Sequence, residues 1–126
     1  MNEAKKNSEV MPIVEMYIAE IKRILGADYI RASVYGSFAR GDNDRDSDID
    51  IVIFTSRPEE DFYDLISAIS ESTFEYNVRY NVMLSPVFEN VECFNRRMTY
   101  VPFYQNIERE GIRIGCFGKV QNLSGK

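Results

Sequence analysis

The chain has 126 residues, which fits one domain of ordinary size. Hydrophobic residues make up 44% of it, enough for a sizeable core, but no apolar run approaches the roughly 18 residues that a membrane helix needs. A net charge of −5 without a basic run disfavours a long polynucleotide partner. The absence of histidine excludes Ser-His and Cys-His nucleophilic schemes and the usual zinc sites.

The chain also gives an expectation about its compartment and its domain organisation. Residues 1–6 lack the apolar stretch and cleavage site of a signal peptide, so we expect a cytoplasmic protein. Cys93 and Cys116 have no metal-ligand spacing, and reduced thiols are favoured over a disulfide. We expect a single domain over residues 1–126, with flexible ends at about 1–7 and 119–126.

The first half of the chain predicts one helix and two strands. Apolar residues recur at steps of three and four from about Glu9 to Leu25, which indicates an amphipathic helix, and Gly26 suits its end. Tyr29 to Tyr35 has the pattern of a strand, and Ile49 to Phe54 that of a largely buried strand.

The second half predicts further helices and a third strand. Pro58 and the acidic residues after it favour the start of a helix. A strand is predicted from Tyr76 to Leu84, a helix from about Phe88 to Met98, another over Phe103 to Glu110, and a short strand at Ile112–Ile114. This order predicts an α/β (α+β) fold, in which helices flank a small, mixed, twisted sheet.

The first chemical feature is a Gly-Ser pair at the end of the first predicted strand. Gly36 lets the backbone bend sharply and lets a ligand approach without meeting a side chain. Free amides in such a bend, together with the Ser37 hydroxyl, form a concave donor surface for phosphate oxygens. A purely structural turn explains this feature equally well when it is considered alone.

The second feature is a pair of aspartates, Asp48 and Asp50, at the entrance to the second strand. Side chains two residues apart in a strand point to the same face, so the two carboxylates converge on one site. Two crowded carboxylates repel each other unless a cation neutralises them, and Mg²⁺ prefers one or two carboxylates plus phosphate oxygens. The pair therefore predicts a divalent metal site.

Together these features resemble the signature of a known superfamily. Gly36-Ser37, ten residues, and then Asp48-Ile49-Asp50 are similar to the motif of the DNA polymerase β-like nucleotidyltransferases. The form of Gly36 to Gly41 resembles the minimal nucleotidyltransferase (MNT) branch. The first helix and the segment Val101 to Gly111 are also similar to that branch, so the resemblance spans most of the chain.

The resemblance implies a metal-dependent transfer of a nucleoside monophosphate to an acceptor hydroxyl. AMP from ATP is the favoured group. In such enzymes two Mg²⁺ or Mn²⁺ ions align the triphosphate and stabilise the attacking and leaving oxygens. Gly36 and Ser37 would then hold the β- and γ-phosphates, and Asp48 and Asp50 would be the catalytic metal ligands. Arg40 would either touch phosphate or, as we favour, pair with a nearby aspartate.

The family pattern breaks at a third carboxylate, which usually stands on a later strand and faces the aspartate pair. Here that strand is predicted at Tyr76 to Leu84, and neither of its faces carries an acidic residue. Asn81 is the predicted occupant of the third position, with Met83 next. Asn can give an oxygen to a metal but cannot accept a proton at neutral pH. Slow turnover, a base borrowed from the acceptor, and nucleotide binding without turnover all remain open.

The resemblance also implies a partner, because a domain of this size must receive its acceptor in trans. Members of the MNT branch are often paired with a HEPN-type ribonuclease, as its antitoxin. An apolar group near the C-terminus could meet such a partner, although packing on the sheet is favoured: Tyr100, Phe103, Tyr104 and Ile107. The alternative function is a catalytically weak or inactive nucleotide-binding protein that acts as an interaction module.

A calcium loop is the other alternative for the acidic stretch. Aspartates stand at alternate positions from Asp42 to Asp50, as the oxygen ligands of an EF-hand loop do. That loop needs glycine at its sixth position and glutamate at its twelfth, where this chain has Ser47 and Ile53. A solvated acidic loop is the better interpretation of Asp42, Asp44 and Asp46.

Overall fold

A computed structural model describes residues 7–36 and 48–114 of the chain. Its four strands form one mixed sheet: β1 (Tyr29–Tyr35), β2 (Ile49–Thr55), β3 (Leu84–Asn90) and β4 (Ile112–Arg113), in the spatial order β3-β2-β1-β4. β2 pairs antiparallel with β1 and parallel with β3, and β4 pairs antiparallel with β1. β3 is therefore an edge strand, which is where a strand tolerates a proline such as Pro86.

Helices cover both faces of the sheet. The long helices α1 (Asn7–Leu25) and α2 (Phe62–Tyr80) pack on one face, and the shorter α3 (Val91–Arg97) and α4 (Pro102–Glu110) pack on the other. Short 3₁₀ turns follow α1 and precede α2. The predicted α/β fold class is confirmed. Within the described segments, no helix has the length and apolar character needed to cross a membrane.

The central strand β2 separates the two layers because its side chains alternate between them. Ile49, Ile51 and Ile53 belong to the core under α1 and α2. Val52 and Phe54 belong to a second, smaller core under α3 and α4. Asp50 shares the parity of that second set, so its carboxylate projects on the α3–α4 side of the sheet.

Most of the predicted elements are confirmed. The first helix ends at Leu25, and Gly26 after it has a φ of +59°, as a glycine stop requires. β1 and β2 occupy the predicted positions, with Thr55 added to the second strand. The helix predicted near Phe103 begins at Pro102, where proline suits the first helical turn.

The predicted third strand at Tyr76 to Leu84 is wrong. Helix α2 continues through that region to Tyr80, and the strand begins only at Leu84. Asn81 lies at the C-cap of α2 in the left-handed conformation, with φ 55° and ψ 52°, and thus outside the sheet. The strand register that led us to place Asn81 at the third metal position therefore does not exist.

Contacts with α1 explain why helix formation prevails over the β-propensity of this segment. The Tyr17 hydroxyl forms a 2.7 Å hydrogen bond with Thr73, and the Tyr17 ring packs edge-on against Tyr76 at 5.5 Å. Tyr76 in turn contacts Tyr80 one turn later, at 5.6 Å. These packing contacts follow the helical spacing, and such context routinely overrides single-residue propensity.

The helix predicted from Phe88 to Met98 is wrong in its first part. Phe88 to Asn90 complete strand β3, and α3 starts at Val91. Asn90 ends one element and caps the next, since its side-chain oxygen accepts a 3.0 Å hydrogen bond from the Cys93 amide. Its amide nitrogen also donates to the Arg57 carbonyl at 2.8 Å, which ties the start of α3 to the end of β2.

Candidate active site

The bend at Gly36 brings the end of β1 against a carboxylate of β2. Gly36 has a φ of +78°, a left-handed backbone conformation that side-chain-bearing residues rarely adopt. A Cβ atom at this position would overlap with the Oδ2 atom of Asp50. The position thus requires glycine on two independent grounds, backbone conformation and space.

The two predicted metal ligands lie beside this bend. Asp48 immediately precedes β2 and is exposed. Asp50 lies within β2, is half-buried, and pairs with Tyr35 of the antiparallel strand β1. Burial raises the pKa of Asp50, and the nearby Asp48 charge raises it further. Both effects disfavour the ionised form of Asp50, and a divalent cation bound by the two carboxylates would favour it.

The third residue of this row comes from β3. In the parallel register Asp50 pairs with Ser85, and directly paired residues project on the same face of a sheet. Tyr35, Asp50 and Ser85 therefore form one row across three adjacent strands. Ser85 is half-buried. Ser85 was not predicted from the sequence, because the strand was expected at Tyr76 to Leu84 and β3 begins only at Leu84.

The Tyr35 ring forms one wall of the site. It packs edge-on against Phe103 of α4, with the ring centres 6.0 Å apart. Burial raises the pKa of the Tyr35 hydroxyl, and the charges of Asp50 and Glu89 raise it further. Tyr35 therefore stays neutral at physiological pH and offers an aromatic surface and a hydroxyl rather than a charge.

Glu89 of β3 lies on the same face of the sheet as Asp50, but it belongs to a different interaction network. Glu89 is half-buried, and burial raises its pKa, although Arg97 and a hydrogen bond from Tyr104 counteract that effect. Arg97 also donates to the Tyr104 hydroxyl at 3.2 Å and forms an ion pair with Glu59. Glu89 stands four residues beyond Ser85, which is about 13 Å along a strand.

The structure brings together three of the predicted site residues, Gly36, Asp48 and Asp50. Ser37 and Arg40 lie outside the described residues, as do the acidic positions 42, 44 and 46 of the calcium-loop alternative. Across residues 7–36 and 48–114, no cluster of three or more Cys, Asp or Glu residues could hold a metal ion. In this part of the chain, the Asp48–Asp50 pair is therefore not joined by a third acidic or thiol ligand.

Two of the four apolar residues near the C-terminus are packed in the core, and the other two are exposed. Tyr104 and Ile107 pack into the core under α3 and α4, as favoured from the sequence. Tyr100 is 70% exposed and Phe103 is 49% exposed. Tyr100 lies just before α4 and Phe103 in its first turn, and Phe103 contacts the Tyr35 wall of the site.

Comparison with known protein families identifies the family of this chain. The model of the nucleotidyltransferase domain family matches residues 16–114, from the middle of α1 to the end of β4. The chain belongs to this family. The resemblance to the minimal nucleotidyltransferases, inferred from the Gly-Ser and Asp-x-Asp motifs, is confirmed.

Two relatives come from the archaeon Methanocaldococcus jannaschii. "Putative protein adenylyltransferase MJ0604" is 30% identical over 112 residues, which cover 88% of this chain and 96% of that protein. "Putative protein adenylyltransferase MJ0141" is 24% identical over 106 residues, covering 84% and 99%. A chain from a crystal structure of a toxin–antitoxin with AMP-PNP is 15% identical, with a TM-score of 0.49, over 80% of this chain and 72% of that one. The two archaeal matches extend well beyond the motifs.

Proposed function

We propose that this protein is a Mg²⁺-dependent nucleotidyltransferase that transfers AMP from ATP to a hydroxyl group of an acceptor protein. The observation that carries the proposal is the close approach of the Gly36 bend to the Asp50 carboxylate, with the Asp48 charge near enough to act on that carboxylate. Family membership supports transfer of a nucleotidyl group. The names of the two archaeal relatives favour adenylyl transfer and a protein acceptor.

The donor set of the site suits Mg²⁺ or Mn²⁺. Asp48 and Asp50 offer only oxygen atoms, and hard divalent cations prefer a few carboxylates completed by phosphate oxygens. Burial and the neighbouring Asp48 charge both raise the pKa of Asp50, and a bound cation would favour its ionised form. A bound ion would supply charge stabilisation to the triphosphate and to the oxygens that attack and leave.

The residues around the metal ligands would orient the triphosphate. The backbone at Gly36 has no side chain to block an approaching phosphate, and the Ser37 hydroxyl would add a donor to the β- and γ-phosphates. Arg40 would act on phosphate or pair with an aspartate. In the reaction, the acceptor oxygen forms a bond to the α-phosphorus while the bond to the β-phosphate oxygen breaks, so pyrophosphate leaves.

The acceptor proton has no obvious destination within the described part of the site. The residue opposite Asp50 on β3 is Ser85, whose hydroxyl is a poor base at neutral pH. The nearest carboxylate further along that face, Glu89, is engaged by Tyr104. We propose that the proton passes to water or to a basic group of the acceptor.

A partner protein would provide the acceptor hydroxyl, and we propose a HEPN-type protein encoded with this chain in a toxin–antitoxin pair. The whole chain would act as one nucleotidyltransferase domain in the cytoplasm. Phe103 contacts the Tyr35 wall of the site and is half-exposed, and Tyr100 three residues before it is exposed, so both are available to contact such a partner.

A second candidate function is nucleotide binding without turnover, with the chain acting as an interaction module. The serine at the position opposite Asp50 is the observation that favours it, because no carboxylate stands there to assist the acceptor. This candidate keeps the metal and phosphate contacts and differs only in the chemical step.

Labelled ATP separates these functions. The chain is incubated with α-³²P-ATP, Mg²⁺ or Mn²⁺ and the protein encoded by the neighbouring gene, and label on protein is measured alongside nucleotide binding. We expect label with the wild type and loss of both label and metal-dependent binding with Asp48→Ala or Asp50→Ala. Glu71→Ala removes an exposed carboxylate from α2, on the other side of the sheet, and should behave as wild type.

Each outcome of this assay has a distinct meaning. Binding without label under either metal, with an intact complex, would support the interaction module instead of the transferase. Wild-type nucleotide binding in both aspartate variants would remove the site assignment altogether.

A further inference from the structure

The most informative position beside the aspartate pair is Ser85. The parallel register places it directly opposite Asp50, and its side chain projects on the same face. Adjacent strands lie about 4.8 Å apart, so a ligand atom on Ser85 and one on Asp50 can meet the same ion. An unbroken register from Ile49 with Leu84 to Thr55 with Asn90 fixes this pairing.

Other residues near β3 cannot take the same position. Asn81 caps α2 before the strand begins. Val87 is one pair further along the face and is apolar, and Glu89 is about 13 Å away and bound to Tyr104. Met83, which also precedes the strand, carries no oxygen ligand. Among the described residues of β3 and the segment before it, Ser85 alone offers a side-chain oxygen opposite Asp50.

A hydroxyl at this position has a consequence for the number of metal ions. Asp48 and Asp50 together carry two negative charges, which balance one divalent cation. A second cation about 3.5–4 Å from the first would need further anionic ligands, because like charges repel strongly at that distance. A neutral serine hydroxyl adds a weak oxygen donor but no charge.

We propose that Ser85 occupies the third ligand position of the site, and that the chain consequently binds one divalent cation tightly and a second only through the oxygens of a bound triphosphate. This inference rests on the proposed function, since it concerns the same metal site. The second metal position would then be complete only when the triphosphate substrate is bound.

Restoring a carboxylate at this position tests the proposal. Mn²⁺ binding to the full chain is measured by isothermal titration calorimetry and by electron paramagnetic resonance, with and without a non-hydrolysable ATP analogue. We expect one Mn²⁺ per wild-type chain without nucleotide. Ser85→Asp should bind a second Mn²⁺ without nucleotide, or bind the first about tenfold more tightly. About tenfold is the lower end of the change in metal affinity seen when residues that only support metal ligands are altered.

Two matched variants control for added charge and for folding. Asn81→Asp adds the same charge at a left-handed position that Asp tolerates, outside the ligand row, and should leave Mn²⁺ binding unchanged. Thermal unfolding without metal verifies that each variant is folded. If Ser85→Asp does not fold, Ser85→Glu carries its carboxylate further from the sheet and allows the same comparison.

The results distinguish this inference from the proposed function. Unchanged Mn²⁺ binding in folded Ser85→Asp, or an equal gain in Asn81→Asp, would overturn the role of Ser85 while leaving the metal site in place. Two tight Mn²⁺ ions in the wild type without nucleotide would also overturn it. Full Mn²⁺ binding in Asp48→Ala would instead refute the proposed site itself.

Discussion

Replacing Gly36 by alanine tests the link between the backbone bend and the metal site. The added methyl group would overlap with Asp50 Oδ2, and the backbone would have to hold an alanine at a φ of +78°. The clashing atom is the far end of a side chain, so the carboxylate rather than the backbone should move. We therefore expect a modest loss of stability and a large loss of metal binding.

The stability cost follows from the backbone conformation. A residue with a Cβ in the left-handed region costs about 1–2 kcal/mol relative to the right-handed one. For a domain of this size, each kcal/mol lowers the melting temperature by about 3–5 °C. Displacement of one of two carboxylate ligands should weaken Mn²⁺ binding by at least about tenfold, since even indirect metal partners contribute that much.

Gly26 provides the matched control for this experiment. It has a similar φ of +59°, but a Cβ there would meet nothing within 4 Å. Gly26→Ala should therefore lower the melting temperature through strain alone and keep wild-type Mn²⁺ binding. The two variants are compared by thermal unfolding without metal and by Mn²⁺ titration calorimetry. Equal Mn²⁺ affinity in Gly36→Ala and Gly26→Ala would refute the reasoning.

Three further predictions concern the supporting structure. Burial raises the pKa of Tyr17 from 10.0 to about 12, so the unfolded chain ionises first and stability should fall by about 2–3 kcal/mol between pH 10 and 12. Tyr17→Phe loses the hydrogen bond to Thr73, so its free energy of unfolding should be about 1 kcal/mol lower at neutral pH. Its free energy of unfolding, measured by urea titration, should fall less than that of the wild type between pH 10 and 12. Asn90→Ala should lower the free energy of unfolding by about 1–2 kcal/mol, because α3 loses its cap. Phe94→Ala should cost about 3–5 kcal/mol, since the fully buried ring contacts Phe54 at 4.7 Å.

Each of these variants has a matched control. Tyr63 is 81% exposed, so Tyr63→Phe should leave the alkaline transition of the wild type intact. Asn90→Asp keeps the cap oxygen but loses the donor to the Arg57 carbonyl, so it should recover only part of the loss seen with alanine. Phe103→Ala removes a half-exposed ring and should cost much less than Phe94→Ala. If the stability of Tyr17→Phe fell as steeply as that of the wild type above pH 10, the role of Tyr17 would be contradicted. Equal losses of stability in Asn90→Ala and Asn90→Asp, or in Phe94→Ala and Phe103→Ala, would likewise contradict the assigned causes.

Local sequence signals were sufficient where burial follows a regular period. Apolar residues from Val10 to Leu25 mark the buried face of α1, and Gly26 marks its end. The run from Ile49 to Phe54 predicts a buried strand because both of its faces are covered, one by each helical layer. The carboxylate pair at its entrance follows from the two-residue period of any strand.

Local signals failed between residues 76 and 90, where two elements compete for similar residues. Tyr76, Val78 and Tyr80 alternate as a strand would, yet Tyr76 packs on Tyr17 of α1 and remains helical. The partner that decides this lies about 60 positions away along the chain, and no window of local sequence contains it. Once α2 extends to Tyr80, the strand moves to Leu84–Asn90 and its register moves with it.

The sequence by itself determined the motif, the family resemblance and the two candidate acidic ligands, because each depends on residue type and short spacing. Only the tertiary structure decided which residue stands opposite Asp50, because that pairing joins strands separated by a whole helix. Asn81 was the prediction from sequence, and Ser85 is the residue that the parallel register places there. A shift in one strand boundary changes the chemistry available at the site, since side chains along a strand alternate between faces.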